Sequence, residues 1–294
     1  MSKKLLFHQL QDNDQLGLFQ ERYEVPSYIK NNVASDLRYY QEEALRYLHY
    51  TQKTDNANFA FNHLLFHMAT GSGKTLVLAA AMLYYYQEHG YQNFIFFVDS
   101  TPIIDKTREN LLNSSSPKYL FANRALEIEG KQVLIEEVET FPYNPDPNTI
   151  YLKLSTIHKL HDELGSYREN GVTYEDLKMH DLILLGDEAH HFNAATKSTK
   201  NQKVAAATWE NTIERILGQN PKNRLLEFTA TIDLSSKELF NKYQNKIVYQ
   251  YDLKQFMKDR FSKNVSLMRA DEDDEHKMLD AVLLSQYRKI IAQD

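Results

Sequence analysis

The sequence contains no cysteine in its 294 residues. That excludes disulfides, thiolate zinc sites and cysteine nucleophiles together, and it suits a cytoplasmic protein. There is no apolar run of about 18 residues or more, so no membrane-spanning helix and no membrane association are expected. Met1 to Gln9 carries lysines but no sustained apolar stretch, so it does not read as a secretory signal. A basic excess is lacking too: 34 Lys and Arg stand against 40 Asp and Glu, a net charge of −6. Small nucleic-acid-binding domains usually declare themselves by net positive charge. Any such contact here must come from a local basic edge or from parts of the protein beyond these residues. What is present, 42% hydrophobic and 25% charged residues, suffices for an ordinary globular core.

Strand and helix patterns alternate along the chain. Residues 1–35 are mixed and polar with scattered aromatics, and read as an entry segment packing onto the core. From Asp36 to Thr51 the apolar residues Leu37, Tyr40, Ala44, Leu45 and Leu48 recur at helical spacing, with Asp36 as a candidate N-cap. His63 to His67 is a short strand-like run ahead of a glycine loop. Leu76 to Gln87 then reads as a helix buried nearly all round and stopped by Gly90. Phe94 to Val98, Ile150 to Leu154, Leu182 to Leu185 and Leu225 to Phe228 are apolar throughout instead of alternating, as buried parallel strands are. Helical stretches, Ile103 to Leu112 and Ala205 to Leu217 among them, lie between. This order predicts an α/β fold with a doubly wound, mainly parallel sheet and helices on both faces. Residues 113–148 read as a looser insertion, in which Phe141 to Pro147 has too many prolines for a central strand. Lys246 to Tyr251 reads as a further strand, Asp271 to Glu275 as an acidic linker, and the stretch from His276 as the start of a helix.

Ala69-Thr70-Gly71-Ser72-Gly73-Lys74-Thr75 lies between the strand and the buried helix. A triphosphate needs short hydrogen bonds from a backbone that can approach closely. Gly71 and Gly73 clear that approach and permit positive φ, and the helix that follows turns its free N–H groups toward the phosphates. Lys74 brings a mobile positive charge, and the Thr75 hydroxyl can ligate Mg²⁺. The general phosphate-loop pattern has glycine where Met68 stands, which points to a particular subset of loops. A Gly-Ser-Gly turn before lysine also occurs in isolation; the strand before it and the helix after it are what give this one meaning.

Leu182 to Leu185 leads through Gly186 into Asp187-Glu188-Ala189-His190-His191. A nucleotide hydrolase needs one carboxylate in the Mg²⁺ shell and another to orient and deprotonate water. Adjacent acids at the carboxyl end of a strand can divide those roles, and ligands bind at that edge of such sheets. Two acids can also simply favour a helix N-terminus. Adjacent histidines point in different directions and find no third ligand at useful spacing, which argues against zinc.

Ala69 to Thr75, Asp187 to His190 and Thr229-Ala230-Thr231 resemble motifs I, II and III of superfamily 2 helicases. With His191 after the second motif and Met68 before the first, they look most like the Res subunit of type III restriction–modification enzymes. Leu37-Arg38-Tyr39-Tyr40-Gln41 resembles the family's adenine-reading segment, with Gln41 on the base. The resemblance implies a RecA-like P-loop NTPase domain over residues 36–270 that hydrolyses ATP with Mg²⁺. Gln41 and the loop residues Thr70, Gly71, Ser72, Gly73, Lys74 and Thr75 would bind ATP. Thr75 and Asp187 would hold Mg²⁺, Glu188 would activate water beside Lys74 and Asp187, and His190 would link the site to Thr229 and Thr231. Asp99-Ser100-Thr101-Pro102 and Ser155-Thr156-Ile157-His158 stand where relatives touch the nucleic-acid backbone, through Thr101 and Thr156. A strand-to-helix turn with an N-cap accounts for either equally well.

The partners implied are double-stranded DNA, a methyltransferase (modification) subunit that carries sequence specificity, and a second RecA-like domain that supplies arginine fingers. The stretch after Thr231 is too short for that domain and shows no nuclease motif. The expectation is therefore a piece of a longer protein, with residues 271–294 leading to the missing part. Another superfamily 2 DNA or RNA helicase, or a nucleotide-binding module with little turnover, are the competing readings.

Overall fold

The computed structural model describes residues 4–19, 22–53, 62–165, 172–188, 200–262 and 274–291. The chain opens with three helices, α1 (Leu6–Gln15), α2 (Ser27–Lys30) and α3 (Tyr39–Lys53). Strand and helix then alternate: β1 (His63–Met68), α4 (Lys74–His89), β2 (Asn93–Val98) and α5 (Thr101–Leu112). A hairpin, β3 (Leu126–Ile128) and β4 (Lys131–Glu137), precedes β5 (Thr149–Thr156), α6 (Ile157–Gly165) and α7 (Tyr174–Lys178). The remainder is β6 (Leu182–Asp187), α8 (Lys200–Gln219), β7 (Arg224–Thr229), α9 (Lys237–Tyr243), β8 (Ile247–Tyr251), α10 (Leu253–Lys258) and α11 (Asp274–Ile291).

Eight strands form one sheet in the order β3-β4-β5-β2-β6-β7-β1-β8. Every pairing is parallel except β3 with β4. The interior strands are buried along almost their whole length, because both faces are covered. On β1, Phe66 joins the main core, whereas its neighbour Leu65 packs with Leu239 and Tyr243 of α9. Successive strand residues point to opposite faces, so this split shows helices on both sides. The architecture is the doubly wound, mainly parallel α/β fold that the residue pattern predicts. Among the described residues no helix is long and apolar enough to cross a membrane.

Two expectations need correction. The stretch 113–148 is not merely loose, since β3 and β4 extend the sheet by two strands. Leu126, Ile128 and Val133 are buried, and Glu129 and Gly130, both at positive φ, make the two-residue turn. Asp36 does not cap α3, whose first helical residue is Tyr39, so Arg38 holds the cap position. There the Gln41 side chain accepts a hydrogen bond from the Arg38 backbone N–H at 2.9 Å, one half of a capping box. The acidic run's first residues, Asp271 to Asp273, lie outside the described residues.

Candidate nucleotide site

Register decides which loops meet. His67 of β1 lies opposite Thr229 of β7, and Asp187 of β6 opposite Phe228 of β7. The segments after β1, β6 and β7 therefore leave one edge of the sheet side by side, at the carboxyl ends of parallel strands where α/β folds bind ligands.

After Met68, buried as the last residue of β1, Ala69 donates its N–H to Tyr251 O of β8 at 2.9 Å. Ser72 turns back to Ala69 O at 3.1 Å. Gly71 and Gly73 both adopt φ near +81°, and Gly73 is the cap of α4. A Cβ at Gly73 would be strained and would also run into the Gln41 amide nitrogen. The Ser72 hydroxyl is buried without a partner among the described residues. A loop with left-handed glycines, an orphaned hydroxyl and the N-terminus of a 16-residue helix behind it fits a bound phosphate chain.

Across the edge, Lys74 Nζ stands 3.8 Å from Glu188 Oε1. The neighbouring Asp187 is half-buried, and its Oδ1 accepts the Glu188 N–H at 3.0 Å. Burial first, and then the adjacent Glu188 carboxylate, push the Asp187 carboxyl up to about 6, against the pull of Lys74. A carboxylate held at such cost suits a position that a divalent cation would neutralise. Glu188 itself has φ near +52°, a left-handed conformation that non-glycine residues adopt at a cost of about 1–3 kcal/mol and that concentrates at functional sites.

The loop is held from outside by Tyr40 and Gln41 of α3's first turn, and by aromatics at the end of β8 and beyond it that motif reading passes over. Tyr40 Oη and Gln41 Nε2 both donate to Ser72 O, at 3.0 and 2.9 Å. Tyr40 stacks on Tyr251 with ring centroids 4.1 Å apart, and a Cβ at Gly71 would touch the Phe256 ring at 3.9 Å. The Arg38 guanidinium lies 4.5 Å over Phe261. Gln41 is only 4% exposed, with one amide atom on Arg38 N and the other on Ser72 O. Each amide atom keeps one further hydrogen-bonding position that a base edge could use. The aromatic cluster from Tyr251 to Phe261 had no motif to announce it; the only signal was its aromatic density.

The Thr229-Ala230-Thr231 turn closes on itself: buried Thr229 donates its hydroxyl to Thr231 O at 3.0 Å and receives the Thr231 N–H at 3.3 Å. His190, expected to link this turn to the carboxylates, lies outside the described residues. Thr101 is the exposed first residue of α5. Thr156, half-buried, caps α6 by accepting the Lys159 N–H at 3.2 Å. Both stand beyond the same sheet edge as the loop, at the ends of the paired strands β2 and β5.

Comparison with known proteins gives the same direction. The family described as "Type III restriction enzyme, res subunit" matches residues 34–234. The chain is 34% identical to the probable type III restriction-modification enzyme HindVIP Res subunit of Haemophilus influenzae, over 92% of this chain. It spans 56% of that relative's length. Looser likenesses are to the UvsW helicase of bacteriophage T4, at 12% identity and a TM-score of 0.44 over 84% of this chain and 77% of that one. A fragment of a putative HsdR subunit of a type I restriction enzyme from Vibrio vulnificus matches at 15% identity and a TM-score of 0.43, over 84% of this chain and 36% of that one.

Proposed function

The chain belongs to the family of type III restriction enzyme Res subunits, a helicase-type ATPase family, and we propose that it is the ATP-hydrolysing motor domain by which such a subunit moves on double-stranded DNA. The unit extends over residues 36–270, preceded by 1–35 as an entry segment and followed by residues 271–294. One observation carries the proposal: Lys74 at the loop and the Asp187-Glu188 pair, far apart in sequence, converge across the β6-β7-β1 edge.

In this reading Thr70 to Thr75 cradle the phosphates of ATP, and Thr75 with Asp187 holds Mg²⁺, which neutralises developing charge. Gln41 reads the base. Glu188 orients a water for in-line attack on the γ-phosphorus. The bond to the ADP oxygen breaks as the new P–O bond forms, and the water's proton passes toward the Glu188 carboxylate. Lys74, pulled from Glu188 to the phosphates, stabilises the equatorial oxygens. Thr229 and Thr231, with His190, relay the change of nucleotide state, and Thr101 and Thr156 face the DNA backbone. A second RecA-like domain completes the site, a methyltransferase subunit supplies specificity, and the cytoplasm is the compartment.

The test is DNA-stimulated ATP hydrolysis by the full-length protein. In Glu188→Gln it is expected to fall at least about a hundredfold while nucleotide binding persists. Undiminished turnover would remove Glu188 from the chemistry.

A further inference from the structure

Along β1 the side chains of His63, Leu65 and His67 share one face, and His67 is the last of them before the phosphate loop. Its ring is only 8% exposed. Nε2 lies 3.2 Å from Ala230 O, the central carbonyl of the turn after β7. A carbonyl can only accept, so Nε2 carries the proton. Burial pushes the imidazole below its ordinary pKa, which keeps the ring neutral and leaves Nδ1 as an acceptor. Nδ1 is buried and has no partner among the described residues.

A histidine kept only to fill the core would have both nitrogens satisfied or would be replaced by an apolar residue of its size. This ring bears the cost of an unmet acceptor, and its Nε2–H reaches from the strand before the phosphate loop to the turn after β7. Covalently it precedes Met68 and Ala69. By hydrogen bond it holds Ala230, one residue beyond Thr229, the position of β7 that lies opposite His67 in the sheet. Beside it opens a cleft of about 640 Å³ lined by Thr231, Asp233, Asp252 and Lys254, which leaves the turn room to move.

We propose that His67 is a positioning residue that couples the phosphate loop to the Thr229-Ala230-Thr231 turn, so that a change at the nucleotide is passed along β1 to the part of the motor that responds to DNA. The inference rests on the motor function proposed above and adds a side-chain link, from His67 to the turn after β7, to the ladder that already pairs β1 with β7.

The experiment measures ATP hydrolysis by the full-length protein with and without double-stranded DNA, together with KM for ATP and thermal stability. His67→Leu removes the donor while keeping bulk; His67→Gln places an amide N–H near the position of Nε2. The Leu variant is expected to lose at least tenfold of the DNA-stimulated kcat while KM for ATP stays within twofold, and the Gln variant to recover at least half of the loss. Full DNA stimulation in His67→Leu overturns the proposal. So does a loss that appears in KM, or one that Gln does not repair, because either would mean that the ring only supports the fold. If the unsubstituted protein shows no stimulation by DNA, the motor function itself fails, and that outcome is distinct from a stimulated protein indifferent to His67.

Discussion

Lys153 in the middle of β5 and Asp187 at the end of β6 are both charged residues drawn into the interior, but their surroundings differ. Lys153 has a side chain only 1% exposed, and its ammonium lies between carboxylates that balance its charge. It donates to Glu139 O at 2.7 Å and stands 3.2 Å from Glu163, while Lys159 bridges the same two acids. Two positive and two negative groups cancel, tying β5 to α6 and to the segment after β4. Around Asp187 nothing cancels in this way. The adjacent carboxylate of Glu188 adds to the cost, a hydroxyl and an imidazole nitrogen are unmet nearby among the described residues, and Gly71, Gly73 and Glu188 are left-handed. Buried charge alone therefore does not mark a site. Uncompensated charge beside strained backbone at the carboxyl edge of a parallel sheet is the combination that a ligand would relieve.

Substituting each cluster sharpens the contrast, because the two should move stability in opposite directions. Lys153→Met should destabilise the fold by about 3 kcal/mol, because it removes the buried ammonium and leaves Glu163 with only the half-exposed Lys159 opposite it. Denaturant unfolding would read this, and adding Glu163→Gln should recover part of it; an unchanged midpoint would mean that the cluster is only decorative.

At the site the sign reverses. Asp187 binds its proton more tightly folded than unfolded, about 6 against an ordinary 3.8, so its charge costs stability above pH 6 and nothing below pH 4. Without nucleotide and Mg²⁺, Asp187→Asn should stabilise the protein by up to about 3 kcal/mol at pH 8, a gain that fades toward pH 4, while hydrolysis is lost. Thermal unfolding across that pH range would show it, and a pH-independent effect would contradict it.

The smallest effect is expected at Thr156→Ala. Loss of the α6 cap should cost about 1 kcal/mol, and a weaker grip on DNA beyond that loss would separate a backbone contact from a plain cap. DNA titration at several salt concentrations distinguishes the two.

The buried strands and the long helices were legible because their apolar runs are continuous, and the phosphate loop because two glycines, a lysine and a threonine between strand and helix leave few alternatives. The β3-β4 hairpin was not legible. Its buried residues are few and its turn uses glutamate at a positive φ, so neither periodicity nor a familiar turn pair gave it away. The cap of α3 misled for a related reason: Asp36 has the right chemistry, but Gln41 reaches back to Arg38 and starts the helix later. The strap formed by Tyr40, Gln41, Tyr251 and Phe256 is assembled from distant segments, and no local pattern encodes such a contact.

By itself the sequence determined the fold class and the residue types available for phosphate and metal, since both follow from local periodicity and short motifs. Tertiary structure alone decided that β7 lies between β1 and β6, and so that Lys74 meets Glu188 and His67 meets Ala230. Strand order and register are global choices, set by which faces can be buried together. The chemistry at the sheet edge depends on them to within a few tenths of an ångström.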